Sequence, residues 1–377
     1  MTEPGAGRRE AERTEARDGR NIDPEIGALE GEASQQAVPS DRATVEGAVP
    51  YSVWGREPTQ RPDGATYYDR PAIKEPVWIW AVPAYFYVGG AGGAAAVLGA
   101  VAQAADRQGF ARLIERCRWI AAAGTASGTA LLIYDLGRPA RFLNMLRVFR
   151  PTSPLNVGSW ILAAAGPLAA GSAAFAGSDG PVRRLGDLAG AGAGLLGGPL
   201  AAYTAVLVTN TAVPVWQAPR RTLPVLFVSS AASSAASLLE LEELDERAHR
   251  VVERFGRLAK LVDLAATVAV EREAGRVDRV AQPLKEGLAG ALWRAAKALT
   301  ASSLMLSVLP GSSRAKRVSS GVLGTAGAVA LRFAVWHAGT MSARDPRATF
   351  EMQRAGHGAA EVTGQVAASG SRGSRAV

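Results

Sequence analysis

The sequence predicts an all-α protein that crosses a membrane several times. Its 377 residues are 48% hydrophobic, and the apolar residues gather in long stretches that short charged segments separate. Stretches of about 20 apolar residues are long enough to cross a bilayer as helices, whereas soluble helices and strands show shorter periodic patterns. We therefore expect a polytopic transmembrane helical bundle of about eight spans.

The net charge of +8 is consistent with this architecture. Arginine residues lie at the ends of the apolar stretches, where they contact lipid phosphates and anchor helices. Nucleic-acid binding is the alternative explanation of a basic sequence. Because the membrane topology explains the position of the charges better, we expect the lipid bilayer as a partner and no nucleic acid.

The single cysteine and the three histidines restrict the cofactors that the chain can hold. Cys117 alone cannot supply the ligands of an iron–sulfur cluster or a structural zinc site. A transmembrane haem usually needs paired axial ligands, and only His337 lies clearly within an apolar stretch. We therefore predict no haem, no iron–sulfur cluster and no metal site in this chain.

Composition divides the chain into three parts. Residues 1–66 are predicted to be a disordered polar tail, because residues 1–50 are polar and lack apolar periodicity. Residues 1–50 also lack the pattern of a signal peptide. Residues 67–342 are predicted to form the helical bundle, and residues 343–377 a C-terminal tail.

Eight apolar segments are candidate membrane spans, and they lie at about 77–104, 117–136, 157–177, 187–213, 222–241, 258–270, 287–309 and 319–339. The segment 258–270 is short, so seven spans is the alternative count if it lies at the membrane surface. Its Lys260 and Asp263 are three positions apart, a spacing that allows them to pair on one helix face. Lysine and arginine are nearly balanced between the two sets of loops, which leaves the orientation open.

The first span begins with aromatic residues and continues with glycines. Trp80 and Tyr85 belong to the aromatic group, which is typical of a membrane interface. Gly89 and Gly93 form a GxxxG pair that permits close contact with another helix. A dinucleotide-binding loop is the alternative for these glycines, but no predicted strand precedes them.

The last span contains a charged residue, Arg332, at a depth where an unpaired cation costs roughly 2.5–3.5 kcal/mol. We expect it to pair with a carboxylate such as Asp263 or Glu240. A structural ion pair is favoured over a role in proton transfer.

The stretch 132–160 is the most distinctive part of the chain and reads LIYDLGRPARFLNMLRVFRPTSPLNVGSW. A helix is expected to end after Asp135, because a glycine and a proline follow. Phe142 and Phe149 then lie on one helical face surrounded by arginines, which predicts an amphipathic helix at the membrane interface.

Asp135 is a functional candidate, because a carboxylate at a membrane boundary is costly unless it is paired or used. The alternative is structural. In that case Asp135 caps its helix or pairs with Arg138, and the arginines contact lipid phosphates.

These residues resemble a known family. The segments YYDRPAIKEPVWIWAVPAYFYVGGAGG and DLGRPARFLNMLRVFRPTSPLNVGSW are similar to those of polysulphide reductase/NrfD-type membrane subunits, and AGTMSARDPRATFEMQR is similar to actinobacterial members. The resemblance is specific in 67–160, is weaker to about 355, and leaves out 1–66.

The resemblance implies a haem-free, eight-helix subunit of the bacterial cell membrane that binds menaquinone or another quinone in its first four helices. It implies a ferredoxin-like iron–sulfur subunit and a molybdopterin catalytic subunit as partners. Such a subunit is not a complete enzyme by itself. The alternatives are a secondary transporter, whose inverted repeats and broken helices are not evident, and a purely structural membrane anchor.

Quinone chemistry moves protons as well as electrons, so a subunit without metals can supply an apolar slot, hydrogen-bond donors and a proton path. Aromatic residues near the membrane boundary suit the slot, although each is also a candidate interface anchor. The candidate catalytic residues are Asp135 and Arg138, and the candidate quinone-binding residues are Trp80, Tyr85, Ser159 and Trp160.

Overall fold

The computed structural model describes residues 73–137, 139–311 and 313–355. Two compact units divide the chain, Met1–Val77 and Trp78–Val377. Residues 73–77 are the described part of the first unit, and they form neither helix nor strand. The described part of the second unit consists of twelve helices without a strand, which confirms the all-α class. The predicted disordered tail lies outside the described residues.

The twelve helices carry the chain from Ala81 to Arg354. In chain order they are α1 (Ala81–Asp106), α2 (Ala111–Leu136), α3 (Pro139–Met145), α4 (Pro154–Ala174), α5 (Gly180–Thr209), α6 (Pro214–Gln217), α7 (Thr222–Leu239), α8 (Glu246–Ala274), α9 (Asp278–Lys285), α10 (Gly287–Val308), α11 (Arg314–Arg344) and α12 (Pro346–Arg354).

Each of the eight predicted apolar segments overlaps one long helix, and in chain order these helices are α1, α2, α4, α5, α7, α8, α10 and α11. Among the described residues, five of these helices are both long and apolar enough to cross a membrane: α1, α4, α5, α7 and α11. Helices α2, α8 and α10 have sufficient length but are not among the helices that are apolar enough to cross. The polytopic architecture predicted from the sequence is confirmed.

The long helices form two four-helix groups. In the first group α1 and α4 each pack against α2 and α5, and in the second group α7 and α10 each pack against α8 and α11. Helix α1 joins the groups by packing against α7 and α11. Consecutive long helices run in opposite directions, so α1, α4, α7 and α10 all begin at the same end of the bundle. We call this the proximal end and the opposite one the distal end.

Side-chain contacts fix both ends. At the proximal end the Trp78 and Trp216 rings stack with centroids 5.7 Å apart, and the Trp216 indole nitrogen donates to the Val335 carbonyl oxygen at 2.8 Å. At the distal end the Arg247 guanidinium lies 2.7 Å from the Asp106 carboxylate. Each contact joins helices from distant parts of the sequence.

The glycines of α1 allow neighbouring helices to approach closely, as the GxxxG pattern predicts. A Cβ atom on Gly93 would lie 2.5 Å from the carbonyl oxygen of Gly197 on α5. A Cβ atom on Gly92 would lie 3.2 Å from the Cα atom of Gly124 on α2. Gly89, the other member of the predicted pair, instead makes room for the ring of Tyr85 on its own helix.

The interfacial helix is shorter than the sequence predicts. Helix α3 ends at Met145, so the prediction of one helical face that continues to Phe149 is wrong. The Asn156 side chain donates to the Met145 carbonyl oxygen at 2.7 Å and accepts from the Arg150 backbone N–H at 2.6 Å. These two hydrogen bonds hold the chain in a turn between α3 and α4 and prevent a longer helix.

The buried charges of the second group do not pair as expected. The Lys260 ammonium lies 3.1 Å from the carboxylate of Glu240, which directly follows α7, rather than pairing with Asp263 on its own helix. Arg332 donates to the Phe227 carbonyl oxygen at 2.9 Å, and its guanidinium carbon lies 3.9 Å from the centre of the Phe227 ring. Within the described residues Arg332 forms no close ion pair, although it interacts electrostatically with Asp263.

Candidate functional site

The candidate residues lie at the proximal end of the first group. Trp80 immediately precedes α1 and Tyr85 lies in its first turns, whereas Asp135 lies in the last turn of α2. Ser159 and Trp160 lie near the start of α4. The alternating direction of the helices therefore gathers residues from three parts of the sequence.

Asp135 connects the first two helices. Its Oδ1 atom accepts a hydrogen bond from the Ile79 backbone N–H at 3.1 Å. Ile79 lies two residues before α1, so this hydrogen bond joins the segment that leads into α1 to the last turn of α2. The residue is half-buried, and α2 ends directly after it at Gly137, whose φ is 70°. Arg138, its predicted partner, lies outside the described residues.

Trp80 lies on the outside of the bundle. Its side chain is 53% exposed, and its ring packs against that of Tyr134, which is also exposed, with centroids 6.1 Å apart. This environment is typical of an aromatic anchor at a membrane interface. Trp80 contacts Tyr134, the residue that precedes Asp135. The contacts of the described residues do not form an enclosed pocket around Trp80.

Tyr85 lies in the interior of the first group. The residue is 2% exposed, and its hydroxyl has no hydrogen-bond partner among the described residues. Its ring fits against Gly128 of α2, where a Cβ atom would lie 3.1 Å from Tyr85 Cδ2. A buried hydroxyl without a partner costs about 1–3 kcal/mol. Such an unexplained polar group marks a place where a ligand can accept a hydrogen bond.

Tyr203 of α5 lies beside Tyr85, and we call these two tyrosines the interior row. The sequence analysis did not identify Tyr203 as a candidate. The centroid of its ring lies 6.3 Å from that of Tyr85. A Cβ atom on Gly158 of α4 would lie 2.0 Å from Tyr203 Cε2, so only glycine fits there. Tyr203 lies within an apolar span that has no other distinctive feature. Its contacts with Tyr85 of α1 and Gly158 of α4 could not be predicted from the sequence of that span.

Ser159 and Trp160 face different surroundings. The Ser159 hydroxyl is buried, donates to the Leu155 carbonyl oxygen at 2.9 Å and lies 3.7 Å from the Met145 sulfur. Trp160 is 38% exposed and packs edge to face on Phe149 at 6.2 Å. Successive residues of a helix point about 100° apart, so the two side chains do not face one pocket together.

A second charged cluster of the first group lies at the distal end, away from these residues. The Asp187 carboxylate of α5 lies 2.7 Å from both the Arg107 and the Arg118 guanidinium groups. Arg118 is buried and also donates to the Gln103 side chain at 2.8 Å. This cluster clamps α1, α2 and α5 together and has no contact with the proximal candidates.

The interior row fits a quinone better than a metal ion. A quinone ring needs apolar surroundings and a hydrogen-bond donor for its carbonyl oxygen, and the Tyr85 hydroxyl among aromatic rings has this chemistry. Asp135 lies seven residues beyond Gly128 on α2, which places it about 10 Å further along the helix. In the part of the chain that the structure describes, no three His, Cys, Asp or Glu residues are grouped so as to hold a metal ion.

Residues 71–270 match the family described as polysulphide reductase, NrfD. The matched range includes every candidate site residue and extends to the C-terminal part of α8. No curated protein matches the chain significantly.

Proposed function

The chain belongs to the polysulphide reductase, NrfD family, and from this premise we propose that it is the quinone-binding membrane subunit of a respiratory oxidoreductase. The observation that carries the proposal is the buried Tyr85 hydroxyl, which has no partner among the described residues. The half-buried carboxylate of Asp135 lies about two helical turns from the residue against which the Tyr85 ring packs.

Each candidate residue has a role that its surroundings support. Tyr85 donates its hydroxyl hydrogen to a carbonyl oxygen of menaquinone or another quinone, and Tyr203 packs beside it. Asp135 holds or releases a proton at the carboxylate oxygen that does not bind the Ile79 N–H, with Arg138 as the nearby cation in the sequence. When bound, the quinone supplies the coupled electron and proton chemistry.

The remaining candidates have weaker support. The Ser159 hydroxyl is buried but already donates to a backbone carbonyl, so it serves a quinone as an acceptor or after rotation. Trp80 and Trp160 are partly exposed and suit the rim of the site or the membrane interface. We retain all three as proposed quinone-binding residues of lower priority.

The proposed partners rest on the membership of the NrfD family, and the cysteine content of the chain is consistent with them. One cysteine cannot ligate an iron–sulfur cluster, so electrons must pass to or from another subunit. We propose a ferredoxin-like iron–sulfur subunit, which in turn serves a molybdopterin catalytic subunit. The proposed location of the complex is the bacterial cell membrane.

The Asp135→Asn variant tests this function in the assembled complex. Asparagine retains an oxygen that can accept from the Ile79 N–H, so we expect the complex to assemble. Quinone-linked turnover should fall about 100-fold, because the amide cannot exchange a proton. Asp179→Asn is the control, since that carboxylate is 98% exposed at the distal end. Full turnover in Asp135→Asn would leave the structural anchor as the better explanation.

A further inference from the structure

A cavity lies at the proximal end of the second four-helix group, where α9 connects α8 to α10. Its volume is about 300 Å³, and residues of all three helices line it. Cavities that hold small ligands begin at roughly 300 Å³. None of the candidate quinone-binding residues lines this cavity, so it needs an explanation of its own.

The inner wall of the cavity is apolar. It is formed by Ala281 and Leu284 of α9 and by Trp293 of α10, and all three residues are buried. The Trp293 indole nitrogen donates to the Glu271 carboxylate of α8 at 2.6 Å, which holds the ring in place. A ligand in this cavity therefore meets an apolar surface on one side.

The outer wall of the cavity is cationic. Lys285, Arg294 and Lys297 line it, and Glu271 is the single carboxylate among the lining residues. Lys297 donates to Glu271, and the Lys285 ammonium lies 3.6 Å from the exposed carboxylate of Asp278. The described residues place no carboxylate within ion-pair distance of Arg294, whose guanidinium donates to the Lys285 carbonyl oxygen at 2.7 Å. The lining therefore has an excess of positive charge.

Arg294 lies on the outward face of α10. Ala298 and Met305 follow it at intervals of four and seven residues, and all three are exposed. Helix α10 packs against α8, α9 and α11, and α11 is apolar enough to span a membrane. The outward face of α10 therefore contacts lipid. A cation that faces lipid without a counter-charge is costly, so we expect a negative group beside Arg294.

The length of this face suits the lipid of one leaflet. From Arg294 to Met305 it extends about 16 Å along the helix axis. The hydrocarbon of one leaflet is about 15 Å thick, which is half of the apolar core of a bilayer. A phosphate at Arg294 would thus leave an acyl chain beside Ala298 and Met305. A soluble anion would use the cationic wall only and leave the apolar wall uncovered.

We propose that this cavity binds the headgroup of an anionic phospholipid such as phosphatidylglycerol. The Arg294 guanidinium holds the phosphate through charge-assisted hydrogen bonds, and Lys285 and Lys297 add positive charge beside it. The glycerol part lies against the Trp293 ring, and one acyl chain follows the outward face of α10. The site does not depend on the proposed quinone site, which lies in the other four-helix group.

Binding of added lipid to the purified full-length chain tests this proposal. The chain is delipidated in a nonionic detergent and titrated with phosphatidylglycerol, and native mass spectrometry counts the lipids bound. Phosphatidylcholine with the same acyl chains is the zwitterionic comparison, and we expect at least about tenfold weaker binding of it. Inorganic phosphate at the concentration of the lipid should not displace phosphatidylglycerol.

Two outcomes of this titration would overturn the proposal. Equal binding of the two lipids would show that the cations do not select the headgroup. Complete displacement by inorganic phosphate would identify a site for a free anion, because the acyl chain would then contribute nothing.

Arg294→Gln locates the bound lipid. We expect it to weaken phosphatidylglycerol binding about tenfold, because the charge-assisted hydrogen bonds to the phosphate are lost. Arg294→Lys should bind with intermediate affinity, since it keeps the charge but not the planar fork. Arg112→Gln is the matched control, because Arg112 is also exposed but lies at the distal end of α2. Equal binding by Arg294→Gln and Arg112→Gln would contradict this location.

Glu271→Gln should act in the opposite direction. The glutamine oxygen can still accept from the Trp293 indole, whereas Lys297 loses its counter-charge and is free to bind phosphate. We expect phosphatidylglycerol to bind about fivefold tighter, as for one added cation. Thermal unfolding without lipid shows whether each variant retains its fold. Weaker binding by a Glu271→Gln variant with the unfolding temperature of the parent would argue against a phosphate beside Lys297.

A carboxylate of another subunit is the other possible counter-charge for Arg294. In that case the purified chain would bind phosphatidylglycerol and phosphatidylcholine equally or bind neither, and the lipid proposal would fail. The proposed function would stand in either case, because quinone titration of the same sample reports on it separately.

Discussion

The ammonium nitrogen of Lys260 lies 3.1 Å from a carboxylate oxygen of Glu240, and both side chains are buried inside the second four-helix group. Removing one member of such a pair leaves the other charge uncompensated, whereas removing both often has little effect. The pair therefore offers a direct measure of how dry this interior is.

We expect Lys260→Met to lower the free energy of unfolding by about 3–5 kcal/mol if the interior is dry, and by less if water reaches Glu240. The double variant Lys260→Met with Glu240→Gln should recover most of the loss. Denaturant unfolding in micelles measures both. Breaking the exposed Arg314–Glu243 pair by Glu243→Gln should change stability little and serves as the control.

The contact between Gly93 and Gly197 predicts strong sensitivity to one added methyl group. A Cβ atom on Gly93 would meet the Gly197 carbonyl oxygen at 2.5 Å, so α1 and α5 must move apart in Gly93→Ala. We expect a loss of roughly 1–3 kcal/mol, as for other overpacked contacts. Gly198→Ala is the matched control, because no atom lies within 4 Å of its Cβ position. Similar unfolding temperatures for the two variants would contradict the close crossing.

Gly339 should not tolerate a side chain either. Its Cβ position lies 1.8 Å from Trp216 Cζ2, and the indole cannot move freely because its nitrogen donates to the Val335 carbonyl oxygen. We expect Gly339→Ala to displace the Trp216 ring and lower the unfolding temperature. Gly166→Ala, which meets no atom within 4 Å, should not do so. Tryptophan fluorescence reports the ring, and an unchanged spectrum would argue against this packing.

Tyr85→Phe should separate binding from stability. Its hydroxyl has no partner among the described residues, so its removal should leave stability unchanged or raise it by about 1 kcal/mol. If the hydroxyl donates to a quinone, the dissociation constant should increase about tenfold, which corresponds to one lost hydrogen bond. Quinone titration and thermal unfolding on the same sample measure the two effects. Tyr134→Phe, at an exposed position, controls for loss of a phenol.

The eight long helices could be predicted from the sequence, because apolar length is a local property of each segment. The contacts between these helices could not be predicted in the same way. Lys260 had Asp263 three positions away as an obvious partner, yet it pairs with Glu240 at the end of α7. That choice depends on how α7 and α8 pack, which no local pattern encodes.

The candidate site shows the same limit. Asp135 became a candidate because a carboxylate is costly at a membrane boundary, but its hydrogen bond to Ile79 requires the segment before α1 to lie beside the end of α2. Tyr203 was not singled out, because its contacts with the Tyr85 ring and with Gly158 of α4 arise only when the helices pack. The extent of α3 was overestimated, since the Asn156 hydrogen bonds that end it come from the next helix.

The crossing of α1 and α5 also limits where this protein can move. At Gly93 and Gly197 the two backbones touch without an intervening side chain, so no change of rotamer can loosen the junction. Any rearrangement of the bundle must therefore keep α1 and α5 together at this point. The glycine crossing behaves as a fixed pivot within the first four-helix group.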